Sequence, residues 1–181
     1  MDLNEKNSGP GGHIRQLRPS DLASFREHLL RLTPESRRDR FNGVTDDVFL
    51  ASYAARSFSE GATVIGYVKD GEVKGAAELH ERPDLDPPTA EIAFSVEDGL
   101  QNQGIGSALF QRLIGHALAM GYQHLRVTTH PHNEAMKALA RKFNAKLHFE
   151  DGETVGNIDL TGVKLSFEAQ LPDGALLRAT I

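Results

Sequence analysis

The chain has no cysteine. That single absence removes disulfides, thiolate nucleophiles and cysteine-based zinc sites. It also has no apolar run long enough to span a membrane, and the opening MDLNEKNSGPGGH lacks the apolar stretch of a secretory leader. Excess basic charge is missing too. The 20 Lys and Arg stand against 25 Asp and Glu, a net charge of −5, so neither nucleic acid nor an anionic membrane is expected as a partner. A cytoplasmic location is the plain expectation. What remains suits a globular protein: 39% hydrophobic and 25% charged over 181 residues, enough for one domain with a real core and short for two. Residues 1–12, rich in Gly and Asn, are expected to form a flexible tail, and residues 13–181 a single domain.

Periodicity sorts the rest into alternating elements. HIRQLRP (13–19) reads as a first strand, and Ser20 as the cap of a helix whose apolar residues Leu22, Phe25, Leu29 and Leu32 recur at helical spacing. TPESRRDRF follows, and its RRDR run is expected to be a solvated face. A second helix runs from about Asp46 to Ala55. ATVIGYVKDGEVKGAAELH reads as a hairpin turning at Asp70–Gly71. TAEIAFSVED is a strand with Ile92, Phe94 and Val96 on one face and Glu91, Ala93 and Ser95 on the other. A long helix then ends at Gly121, followed by a strand at 124–130, a helix at 133–143 and a strand at 145–150. The order is that of a layered α/β domain with consecutive strands in its first half.

Chemistry concentrates at QNQGIG (101–106), where a strand runs into two glycines and then a helix. Such a turn leaves backbone N–H groups free at the positive end of a helix dipole, which suits a phosphate, although a tight corner without a ligand would look the same. Two nucleotide motifs fail against it. A P-loop needs a lysine after the glycines, and the dinucleotide fingerprint needs a small third residue where Leu109 stands. His130 and His132 form a pair without an obvious third ligand, so no metal is expected.

QNQGIG resembles the Q/R-x-x-G-x-G/A signature of the GNAT family of acetyl-CoA-dependent N-acetyltransferases. The stretch from AEIAFSVED to NEAMKALARKF also follows that family's order of strand, pyrophosphate loop, long helix, strand, Asn and helix. The resemblance covers roughly Thr89–Glu150 well and the N-terminal half in outline. It implies an α+β fold with a mixed, mostly antiparallel central sheet flanked by helices. It implies acetyl-CoA as cosubstrate, with the pyrophosphate held at Gln101, Gln103, Gly104, Ile105, Gly106 and Ser107. The pantetheine arm would lie along Phe94, Ser95 and Val96, and Asn133 would contact the cofactor besides capping its helix.

For transfer to an amine, Glu91 falls where histone-type members carry a general base, with Glu78 on the preceding strand in reserve. Many members carry a Tyr where Ala140 stands here, so their usual proton donor to the departing thiolate is missing. LTPESRRDRF resembles a stretch of the bacterial Pat-type protein-lysine acetyltransferases. The expected activity is therefore acetyl transfer to a primary amine, on a protein lysine or a small molecule. A non-catalytic acetyl-CoA sensor is the alternative, and the sequence leaves room for a homodimer.

Overall fold

A computed structural model describes residues 11–168 and 176–180, the last two strands by their backbone. A seven-stranded sheet carries the molecule, in the order β1-β2-β3-β4-β5-β7-β6. The strands are β1 (His13–Gln16), β2 (Ala62–Lys69), β3 (Glu72–Arg82), β4 (Thr89–Val96), β5 (His124–Thr129), β6 (Lys146–Glu150) and β7 (Glu153–Asp159). All neighbours are antiparallel except β4 and β5. A parallel neighbour needs a crossover, which the long helix α4 (Ile105–Ala119) supplies. β8 (Lys164–Glu168) and β9 (Leu176–Thr180) form a separate two-stranded ladder.

Alternation along the strands builds a core on each face of the sheet. On one face Ile65, Ala77, Leu79 and Ile92 meet Leu109, Phe110, Leu113 and Ile114 of α4, joined by Met136 and Ala140 of α5 (Glu134–Lys142). On the other, Val64, Val68, Val73 and Ala76 meet Phe25 and Leu29 of α1 (Leu22–Arg31) and Leu50 and Ala54 of α3 (Asp47–Arg56). The hairpin turns where expected, with Asp70 and Gly71 both at positive φ, the conformation a two-residue turn requires.

Two expectations change, and a third falls almost wholly outside the described residues. Ser20 does not cap α1. Asp21 takes that position, and its carboxylate is held by Arg15 at 2.8 Å and by the Arg18 N–H at 2.8 Å. The expected tail lies outside the described residues save for Gly11 and Gly12, and Gly12 is already buried against the Tyr67 ring. TPESRRDRF forms a helix, α2 (Pro34–Phe41), and its arginines are not all solvated. Arg37 turns back to cap carbonyls of Leu30 and Leu32, and the Arg40 side chain is only 11% exposed.

Candidate active site

The parallel pairing of β4 with β5 stops early. Thr89–Ile92 pairs with His124–Val127, after which each strand continues only with its other neighbour. β4 runs on to Val96 beside β3 and β5 to Thr129 beside β7, so a wedge opens beyond Ile92 and Val127. The Glu97 N–H donates to the Lys74 carbonyl on the β3 side at 3.0 Å. By alternation the N–H and C=O of Phe94 and Val96 face the wedge, where β5 offers no partner. Gln101 Nε2 occupies one of these groups, the Val96 carbonyl, at 3.0 Å.

The wedge belongs to a cleft of about 580 Å³ that reaches the start of α4. Gly104 ends the approach with φ +82, a conformation that favours glycine, and its carbonyl accepts the first helical bond from Ala108 at 3.0 Å. The N–H groups of Ile105, Gly106 and Ser107 therefore have no intrahelical acceptor. A Cβ on Gly106 would meet only Leu139, at an ordinary 3.5 Å. Packing within the protein does not demand a glycine at 106, so the space it leaves is free for a ligand. Lys142 Nζ donates to Ser107 Oγ at 2.9 Å and adds a full positive charge beside the dipole. The donor set, the space and the charge all fit a pyrophosphate. The Ile105 side chain is buried in the core and Gln103 Nε2 bonds the Gly99 carbonyl at 3.0 Å, so at these two positions the backbone is what remains to offer.

α2 roofs this cleft. Thr33 and Ser36 hydroxyls donate to Asp98 at 2.9 and 2.7 Å, next to the glycine loop. Near the other end of the helix, Asn133 Nδ2 reaches the Asp39 carbonyl at 3.4 Å. Asn133 does cap α5, accepting from the Met136 N–H at 2.9 Å. Its cleft position and its cap coexist.

Ser95 lies on the α1 side of β4 and makes a contact that sequence reasoning missed. His28, wholly buried in α1, reaches Ser95 Oγ through Nε2 at 2.8 Å and Glu97 Oε1 through Nδ1 at 3.3 Å. Burial holds the imidazole below its ordinary pKa although Glu97 pulls the other way. Burial likewise pushes the Glu97 carboxyl up, but His28 and Arg31 outweigh it and hold it low. An ionised Glu97 can only accept, so Nδ1 donates to it and the neutral ring accepts the Ser95 hydroxyl at Nε2. This chain of bonds pins α1 to the strand that borders the cleft.

The two candidate bases sit in different surroundings. Glu78 is fully buried, with Oε1 on Arg40 at 2.7 Å and Oε2 shared among Tyr53 (2.8 Å), Ser57 (3.0 Å) and His80 (3.3 Å). Desolvation pushes its carboxyl up, but Arg40 and His80 more than reverse that and hold it at about 2. Such a carboxylate is committed to its ion pair and is a poor proton acceptor near neutrality. Burial raises the Tyr53 phenol well above its ordinary value, so it stays neutral beside the pair. Glu91 instead sits opposite His80 on β3 and Arg126 on β5, inside the paired stretch and two residues before Ala93, the first β4 residue to line the cleft. Its side chain is 32% exposed and is met by Arg82 at 2.8 Å.

Ala140 is 1% exposed in the core shared with α4, while its neighbour Leu139 lines the cleft. No side chain at 140 faces the wedge. His130 and His132 lie with ring centroids 5.4 Å apart, and no group of three or more metal-ligating side chains occurs among the described residues.

Known proteins share this fold. The acetyltransferase (GNAT) family model matches residues 23–145. The GNAT domain of S. lividans PAT superposes with a TM-score of 0.75 at 21% identity, over 82% of this chain and 90% of that one. yncA of Salmonella typhimurium, solved with its cofactor acetyl-CoA, superposes at 0.66 and 19% identity, over 90% and 98%. An acetyltransferase from Salmonella typhimurium that modifies the N-terminal serine of ribosomal protein L7/L12 superposes at 0.63 and 15% identity, over 83% and 95%. With the family model spanning well over half its length and the mixed, split sheet beneath it, this chain belongs to the GNAT acetyltransferase family.

Proposed function

We propose that the chain transfers an acetyl group from acetyl-CoA to a primary amine by direct attack, with Glu91 as general base. The observation that carries this reading is the wedge between β4 and β5. One continuous channel offers the free backbone edge of Phe94 and Val96 and ends on the unpaired N–H groups of Ile105, Gly106 and Ser107. An extended amide-bearing arm ending in a pyrophosphate has that pattern of acceptors and charge. Acetyl-CoA would supply the activated thioester.

The protein's own contribution is to orient and to move one proton. An amine is nucleophilic only when deprotonated, and Glu91, partly exposed and one residue before the last β4–β5 pair, would accept that proton. As nitrogen bonds to the carbonyl carbon, the C–S bond breaks and its electron pair leaves with sulfur. LTPESRRDRF and the likeness to the S. lividans PAT domain favour a protein lysine over a small molecule as acceptor. With Ala140 in the core no side chain there can protonate sulfur, which is the point favouring a binding-only sensor.

One assay separates these readings. Calorimetry should detect acetyl-CoA binding, and an amine and lysine-peptide panel should release free thiol in proportion to acetylated product. Binding without thiol release on any acceptor would favour the sensor. No binding at millimolar acetyl-CoA would overturn both.

A further inference from the structure

Arg40 lines the cleft and carries donors that the protein does not use. Its Nη2 is spent on Glu78 at 2.7 Å and on Tyr53 at 2.6 Å. Nε is buried without a partner, and Nη1 makes no hydrogen bond to any described residue. A buried donor without an acceptor is costly, and a guanidinium keeps its charge in any surroundings. The position is held firmly. Phe41 and Tyr53 rings flank the guanidinium at 4.7 and 5.3 Å, and Glu78 anchors it from below.

That anchor fixes where the idle donors lie. Glu78 is the direct cross-strand partner of Ala93, the first β4 residue beyond the last β4–β5 pair. Arg40 therefore sits over the apex of the wedge, under the roof that α2 makes between Asp98 and Asn133. If phosphates occupy the α4 end, an arm paired along Val96 and Phe94 brings its sulfur to this apex. The proton donor that related domains carry at position 140 is absent here, and a fixed cation stands at the place where negative charge would form.

We propose that Arg40 is the leaving-group residue of this site, stabilising the CoA thiolate by charge rather than by proton transfer. This rests on the acetyl-CoA reading above. In the step it serves, the amine nitrogen bonds to the carbonyl carbon and its proton passes to Glu91. The C–S bond breaks with both electrons on sulfur, and the resulting anion faces the Arg40 N–H groups. Arg40 gives up no proton, and the product thiolate takes one from water after release.

The test needs no acceptor. The thiol of bound CoA is titrated by its ultraviolet thiolate band, with desulfo-CoA as the blank that removes the tyrosine signal. A cation a few ångströms away lowers a thiol pKa by about 1–3 units. In the parent protein the bound thiol should therefore titrate at least one unit below free CoA. Arg40→Gln should raise it back towards the free value, while Arg40→Lys, which keeps a charge, should fall between. Because Arg40→Gln strands the Glu78 carboxylate, the pair Arg40→Gln with Glu78→Gln is measured beside it. Calorimetry at neutral pH reports CoA binding separately. Absence of binding overturns the acetyl-CoA reading itself. Binding with the parent thiol titrating as in free CoA, or with no change in either glutamine variant, overturns the role of Arg40.

Discussion

Glu78→Gln tests the buried pair beneath the cleft, and the structure sets the size of the effect. The Glu78 carboxyl is held from an ordinary 4.5 down to about 2 by Arg40 and His80, against the upward push of burial. At roughly 1.4 kcal/mol per unit, that depression is worth about 3 kcal/mol of folding stability. The sign follows from the direction. A carboxyl with a depressed folded-state pKa stabilises above its unfolded pKa and loses that contribution as pH falls towards the folded value. The window therefore runs from about pH 4.5 down to about pH 2. Removing the charge leaves Arg40 buried and unpaired, so Glu78→Gln should cost about 3–5 kcal/mol at pH 7. Against a total stability of about 5–15 kcal/mol, the variant still folds, with little margin. Urea unfolding followed by circular dichroism gives both stabilities as a function of pH. Subtracting the variant from the parent cancels the other carboxylates. Their gap should be flat from pH 7 to about 5 and then narrow by about 2 kcal/mol by pH 3. A gap that stays constant down to pH 3 would refute the depressed pKa and the ion pair with it.

Other perturbations reach the cleft itself. Gly104→Asp places a negative charge at the α4 N-terminus and should weaken acetyl-CoA binding by more than tenfold in calorimetry. Gly104→Ala carries similar backbone strain at φ +82 without the charge, so equal losses in both would move the pyrophosphate elsewhere. Glu91→Gln should keep acetyl-CoA affinity and lower turnover by about 10²–10⁴-fold, less at high pH where the amine deprotonates unaided. An unchanged rate would remove Glu91 as the base. Ala140→Tyr, which restores the residue common in related domains, should lower thermal stability because Ala140 is closed in by the core, with an overpacking cost of about 1–3 kcal/mol. An unchanged melting temperature with a faster reaction would show that the ring finds the cleft after all.

Local pattern carried much of this protein. Strands, helices and the Asp70–Gly71 turn follow from alternation, helical spacing and turn chemistry, which short segments express on their own. The glycine loop was legible for the same reason, since its free N–H groups arise from one strand, one turn and one helix start. What the pattern could not say is which polar residues are drawn inward. Between Pro34 and Phe41 the α2 helix carries only polar residues, so nothing in RRDR marks Arg40 as the one that turns under the roof. Its fate depends on Glu78, 38 residues away on the strand it covers. His28 likewise reads as one more residue on an amphipathic helix until Ser95 of β4 and Glu97 just after it arrive beside it. Ala140 matched a motif position, yet the packing of α5 on α4 places Leu139 on the cleft and Ala140 in the core. Burial and ion pairing are settled between segments distant in sequence, because the free energy of a buried charge depends on what faces it. The sequence by itself determined the elements and the glycine turn at the start of α4. Only the tertiary structure decided that β4 and β5 part beyond Ile92, and which charges stand around that parting.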